Sequence, residues 1–187
     1  MKRIGRILGM LTAGVLLCFA FAGCGNQSTP TAGIQTNTAF SVTADDFLTQ
    51  FIGLTMREPV FVSDKDSTVN AGGKIKSYQF DDTMQSGIHY QLSLDYKPED
   101  GTLTGVTFSS QLPQNADGTG YTANSFFGLY AREIIRALEA DADLSAINEN
   151  CNLSGSTDAD TTYQTATLSI RTVIADGIIT LEITALP

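Results

Sequence analysis

Tryptophan is absent from this chain of 187 residues, and histidine occurs once, at His89. Basic residues are scarce: eleven Lys and Arg stand against twenty Asp and Glu, for a formal charge of −9. That balance excludes a nucleic-acid partner, which is held through basic side chains and counterion release. It also excludes electrostatic adhesion to anionic lipid. A single histidine, with no nucleophile elbow around any serine, leaves a Ser-His-Asp triad without support. No glycine-rich phosphate loop and no Cys/His metal spacing is present. Asp64-Lys65-Asp66-Ser67-Thr68-Val69-Asn70 begins like a calcium loop. The sixth and twelfth positions, Gly and Glu in an EF-hand, are Val69 and Ile75 here, so the stretch reads as a solvated loop. No catalytic residue, metal ligand or cofactor is assigned.

Long apolar runs are also missing, save one from Ile7 to Ala22. Lys2, Arg3 and Arg6 precede it and the small residues Ala22-Gly23 end it, the layout of a secretory signal. The run falls short of the ~20 apolar residues a membrane span needs. A cysteine follows at once, and Phe21-Ala22-Gly23-Cys24 resembles the lipobox of bacterial lipoproteins, with Phe21 where Leu is usual. The resemblance covers the leader alone. It implies cleavage before Cys24, acylation of its sulfur (palmitate or a similar chain) and attachment to the cell membrane on the extracytoplasmic side. In a cell with two membranes, Gly25 would permit sorting to the outer one. Two acyl chains suffice for stable anchoring.

The expected organisation is a signal peptide over 1–23, a tether over 24–39 and one globular domain over 40–187. Loss of the leader removes three basic residues and no acidic ones, taking the formal charge from −9 to −12. The tether is Ser, Thr, Gln, Asn, Gly, Pro and Ala with Ile34 as its one large apolar residue; fifteen such residues reach roughly 20 Å. With Cys18 lost and Cys24 acylated, Cys151 has no disulfide partner and is expected to be an inert, partly buried thiol.

The domain opens with a helix capped by Thr43 and Asp46, its Phe47, Leu48, Phe51 and Ile52 on one face and Gly53 as its stop. Val60-Phe61-Val62 reads as a short edge strand, and 63–74 as a polar loop. Ile75–Phe80 is the next strand. Ile88, Tyr90, Leu92, Leu94 and Tyr96 then alternate with polar residues, a half-buried strand, and 102–112 returns. After a second polar loop, Thr122 caps a helix whose Phe126, Phe127, Tyr130, Ile134, Ile135 and Leu138 have helical spacing. A shorter helical piece lies around 143–149 and 148–160 is loop-like. Strands over 161–174 and 178–185 flank Asp176-Gly177, the strongest hairpin signal in the chain. The fold class is α+β: a single domain with an antiparallel sheet of about five to six strands and two helices on one face. A helix-plus-strands duplication is suggested by this order but not by any residue-level repeat.

The opposite face should be wet. It carries His89, Asp95 and Arg171, the candidate ligand-binding residues. The function expected is a lipid-anchored extracytoplasmic binding or interaction module, attached to the membrane through Cys24, with an envelope protein or glycan as partner. Its contacts would lie on that face or on the loops at 63–74 and 113–121. The alternative is an extracytoplasmic hydrolase whose carboxylates meet only in three dimensions. A solute receptor of an import system is too long and too rich in βαβ units to fit.

Overall fold

The structure is a computed structural model that describes residues 38–81 and 87–187. The leader, the Cys24 lipidation site and most of the tether lie outside the described residues.

Seven strands form one antiparallel sheet: β1 (Val60–Asp66), β2 (Lys74–Asp81), β3 (His89–Tyr96), β4 (Leu103–Gln111), β5 (Ala159–Gln164), β6 (Leu168–Ala175) and β7 (Ile178–Ala185). Their order is β1-β2-β3-β4-β7-β6-β5. Three helices, α1 (Ala44–Thr55), α2 (Ser125–Leu138) and α3 (Leu144–Cys151), cover one face. The α+β class and the antiparallel sheet hold, while five to six strands become seven and two helices become three. Each half of the chain is a helical part followed by an antiparallel meander, and the halves meet where β4 pairs β7.

The alternation in β3 does what it predicts: Tyr90, Leu92, Leu94 and Tyr96 are buried. Phe47 and Phe51 of α1 and Phe127, Ile134 and Ile135 of α2 press onto them, each fully buried. Such side chains contribute about 1.5–3 kcal/mol apiece. In place of tryptophan, Phe and Tyr rings fill the centre. Phe108 stacks on Phe127 with centroids 4.8 Å apart and on Tyr90 at 5.8 Å, and Phe80 stacks on Tyr90 at 5.1 Å. Tyr130 meets Phe80 and Tyr90 edge-on, a favoured aromatic geometry.

Thr43 caps α1 as expected, its Oγ1 accepting from Asp46 N–H at 3.1 Å and donating to Asp46 Oδ2 at 2.8 Å. The helix does not stop at Gly53. It runs to Thr55 and ends on Met56, held in the left-handed region at φ 55, because open space surrounds Gly53 and nothing interrupts the ladder. The α2 cap is Asn124 rather than Thr122. Asn124 is fully buried; its Oδ1 accepts from Phe127 N–H at 3.0 Å and from Tyr90 Oη–H at 3.2 Å, so one side chain caps the helix and ties it to the sheet.

Two strands are longer or more numerous than the residue pattern suggests. β1 continues through Asp64, Lys65 and Asp66, which pair with Lys76, Ile75 and Lys74 of β2. The span expected as one strand over 161–174 is β5 and β6, parted by a turn at 165–167. There Thr165 Oγ1 accepts from Leu168 N–H at 3.0 Å, and the Glu139 carboxylate receives the hydroxyls of both Thr165 and Thr167. The Asp176-Gly177 hairpin forms as predicted, both residues at positive φ.

The chain joins the sheet beside the start of β4: Phe40 N–H donates to Leu103 O at 2.9 Å and Ala44 N–H to Gly101 O at 2.9 Å. The far end of β4 lies about 27 Å away at ~3.4 Å per residue.

Candidate functional site

The open face of the sheet is built of Ser, Thr, Gln and a few charged residues, because alternation sends every large apolar residue of β3 and β4 to the helix side. His89 lies on it as expected. It sits at the start of β3 directly opposite Asp81 of β2, and its Nδ1 is 2.6 Å from Asp81 Oδ1, both side chains 70% exposed. Asp95 is on the same strand six residues on, about 20 Å away. It lies under the connection between β1 and β2, where its Oδ1 accepts from Ser67 Oγ at 2.9 Å. Burial pushes its carboxyl above the ordinary carboxylate range, with the Ser67 hydrogen bond opposing.

Arg171 is on β6, three strands from β3, about 14 Å across the strands at ~4.8 Å each, and its register aligns it with Ser93 rather than with His89 or Asp95. Its Nε and Nη2 donate to Asp160 at 2.8 and 2.7 Å, and its Nη1 donates to Glu182 Oε2 at 2.9 Å. The two carboxylates hold the guanidinium in its charged form and Arg171 in turn lowers the Asp160 carboxyl. His89, Asp95 and Arg171 therefore share a face but not a site, and each is matched with its own neighbours.

His89 alone opens onto a concavity, of about 520 Å³, within the range of small-ligand pockets. Strand register makes it a lattice of two rows. Gln79, Gln91 and Ser109 stand side by side on β2, β3 and β4; Asp81, His89 and Gln111 form the next row. Ile178, at the start of β7 and 45% exposed, is its apolar wall. Ser110 also borders it, with its hydroxyl turned to His89 O at 3.1 Å. This site is at the end of the sheet opposite to where the chain joins it. Gln79, Asp81 and Gln111 escape a reading by residue type, since alternation gives the face of each strand but not which rows align across strands. Asp81 in particular reads as plain surface charge.

The two loops considered for binding use these polar groups on themselves and on the adjoining strands. Ser67 Oγ accepts from Asn70 N–H at 3.0 Å and Asn70 Nδ2 donates to Thr104 Oγ1 at 3.2 Å. Asp117 Oδ1 accepts from both Thr119 N–H and Oγ1–H, which lowers its carboxyl. Among the described residues no group of three His, Cys, Asp or Glu side chains could hold a metal ion, and no helix is long and apolar enough to cross a membrane. Cys151 is fully buried, its Sγ 3.6 Å from Ile170 O, and burial raises its thiol.

A different surface stands out by hydrophobicity. Of nine exposed large apolar residues among those described, five (Leu54, Met56, Val60, Phe61 and Val62) fall between 54 and 62, at the end of α1 and on the edge strand β1. A second concavity of about 440 Å³, between α1 and α2, is bordered by Leu54, Gly53 and Arg136. Compared with known proteins, the chain matches no family model, no curated protein and no solved structure.

Proposed function

We propose that this chain is a lipid-anchored extracytoplasmic binding module that holds a polar ligand in the His89 concavity. The observation that carries the reading is the position and chemistry of that concavity. Amides, hydroxyls and one hydrogen-bonded His–Asp pair are gathered at the end of the sheet remote from the point where the chain enters the domain. Anchoring through Cys24 follows from the lipobox resemblance and puts the domain outside the cytoplasmic membrane. A protein partner is the second reading, favoured by the apolar edge at 54–62, since an exposed edge strand is a template for strand addition.

The experiment expresses the full chain and its Cys24→Ala variant in a bacterial host, then fractionates the cells and takes intact masses. The expected result is a membrane-bound product beginning at residue 24 with added acyl chains, against an unlipidated variant. Wild type and variant both soluble and cut elsewhere would sink the anchored reading. Envelope material retained by the wild-type chain and lost with Gln91→Ala assigns the concavity; loss with Val62→Lys instead assigns the β1 edge.

A further inference from the structure

We propose that the ligand of this concavity is a neutral saccharide, an inference that rests on the concavity being the binding site. Charge argues first. The site holds one carboxyl and one imidazole, Asp81 and His89, and they are hydrogen-bonded to each other at 2.6 Å. A phosphate would meet the Asp81 carboxyl group with no Lys or Arg in the lining to balance it, and among the described residues no group of three His, Cys, Asp or Glu side chains could hold a metal ion. What remains is three carboxamides, Gln79, Gln91 and Gln111, with the Ser109 hydroxyl.

Each of these groups both donates and accepts. None of the three amides makes a hydrogen bond within the described residues, whereas the neighbouring Ser110 hydroxyl and the His89–Asp81 pair are engaged. A sugar ring is the matching solute: hydroxyls that donate and accept around its rim, and C–H groups on its face. Apolar side chains flank the amide rows to receive that face. Ile178 lies on one side, and on the other is Val60, paired opposite Gln79 on β1 and 63% exposed. From β1 to β7 the lattice is four strand spacings wide, about 19 Å, which suits a chain of rings better than a single one. An extended peptide fits less well. It would bring apolar side chains in alternation, and the lattice between the two flanks offers only polar groups.

The test is carried out on the processed chain in detergent micelles, labelled so that the side-chain NH₂ signals of glutamine are seen directly by NMR. Chitotetraose and maltotetraose are the neutral probes, tetragalacturonate the charged one and tetraglycine the peptide. The expected result is that a neutral sugar moves the Gln79, Gln91 and Gln111 signals together. Gln91→Ala and Gln91→Glu should each weaken that binding tenfold or more, while Thr162→Ala, on β5 at the remote edge, leaves it unchanged. Tetragalacturonate or tetraglycine moving those signals in place of the neutral sugars overturns the ligand class. If only an envelope extract moves them, the class also falls and the binding module stands. If nothing moves them, both fall.

Discussion

Gly177→Ala is the sharpest probe of how the far end of the sheet is built. Gly177 has φ 74 and follows Asp176 at φ 52, the conformation of a two-residue turn in which both central residues lie in the left-handed region. Alanine there costs about 1–2 kcal/mol from its Cβ alone. A second cost comes from outside the turn, because a Cβ on Gly177 would land inside the Tyr121 ring, against Cζ and Cε1. Either the ring leaves the hairpin or the hairpin moves and strains the bond from Leu112 N–H to Gly177 O, 2.8 Å long. Displacements of this kind cost about 1–3 kcal/mol. The expected loss is about 3 kcal/mol, or ~6–12 °C in Tm for a domain of this size. Urea and thermal unfolding of the full chain measure it. The decisive arm is a cycle: with Tyr121→Ala already present, Gly177→Ala should cost only the turn penalty. Costs that add to within about 0.5 kcal/mol would refute the steric argument. Since Ile178 follows directly, Gly177→Ala should also move the Gln111 side-chain signal.

Three further outcomes are expected. Thr172 is buried in the core and its Oγ1 has no hydrogen-bond partner among the described residues, so Thr172→Val should raise stability by about 1 kcal/mol in urea unfolding; a loss of stability would show that the hydroxyl is satisfied. Asp95 has a folded carboxyl above its unfolded one, so it binds a proton more readily when folded. It therefore lowers stability above its folded pKa and is relieved as pH falls toward its unfolded pKa. Asp95→Asn keeps an acceptor for Ser67 and should stabilise the domain at neutral pH with the gain vanishing in acid; a gain constant with pH refutes the titration argument. Cys151, in a Cys18→Ala/Cys24→Ala background, should resist a thiol reagent until the domain is unfolded, and rapid labelling of the native protein would contradict its burial.

Where local chemistry decided the outcome, the residues announced it. The β3 alternation, the Thr43 capping box, the α2 stripe and the Asp176-Gly177 turn all formed where their patterns lie. What the pattern hid was tertiary. Nothing in the run from 161 to 174 marks a break at 165–167. The turn is fixed by the Glu139 carboxylate arriving from the end of α2. Asp64, Lys65 and Asp66 look like loop because they are polar, yet an edge strand tolerates polar residues, and Asp64 accepts from Tyr96 Oη–H at 2.9 Å. Asn124 displaced Thr122 as the α2 cap because its amide also reaches Tyr90. For the site, alternation put His89, Asp95 and Arg171 on one face but carries no information about distance across strands. Only the register of β2, β3 and β4 brings Gln79 and Gln111 to His89.

The open face is a consequence of topology. Among the described residues, the connections from β1 to β2, β3 to β4, β5 to β6 and β6 to β7 are turns or short loops between neighbouring strands, too brief to cross a face. The connection from β4 to β5, in contrast, must travel from the middle of the sheet to its edge. It does so carrying α2 and α3 over the side that α1 already covers. No helical segment among the described residues lies over the other side. Residues on that side contribute little packing, and strand residues that fit a half-exposed pleat would serve the fold equally well there. Elsewhere on the face they pair off: Arg171 lies between Asp160 and Glu182, and Ser77 Oγ lies 3.2 Å from Ser93 Oγ. At the far end His89 pairs with Asp81, but the three glutamines beside them gather around a hollow without using one another. Stability does not require that arrangement, which is why Gln91 is the residue whose loss should leave the fold intact and remove the ligand.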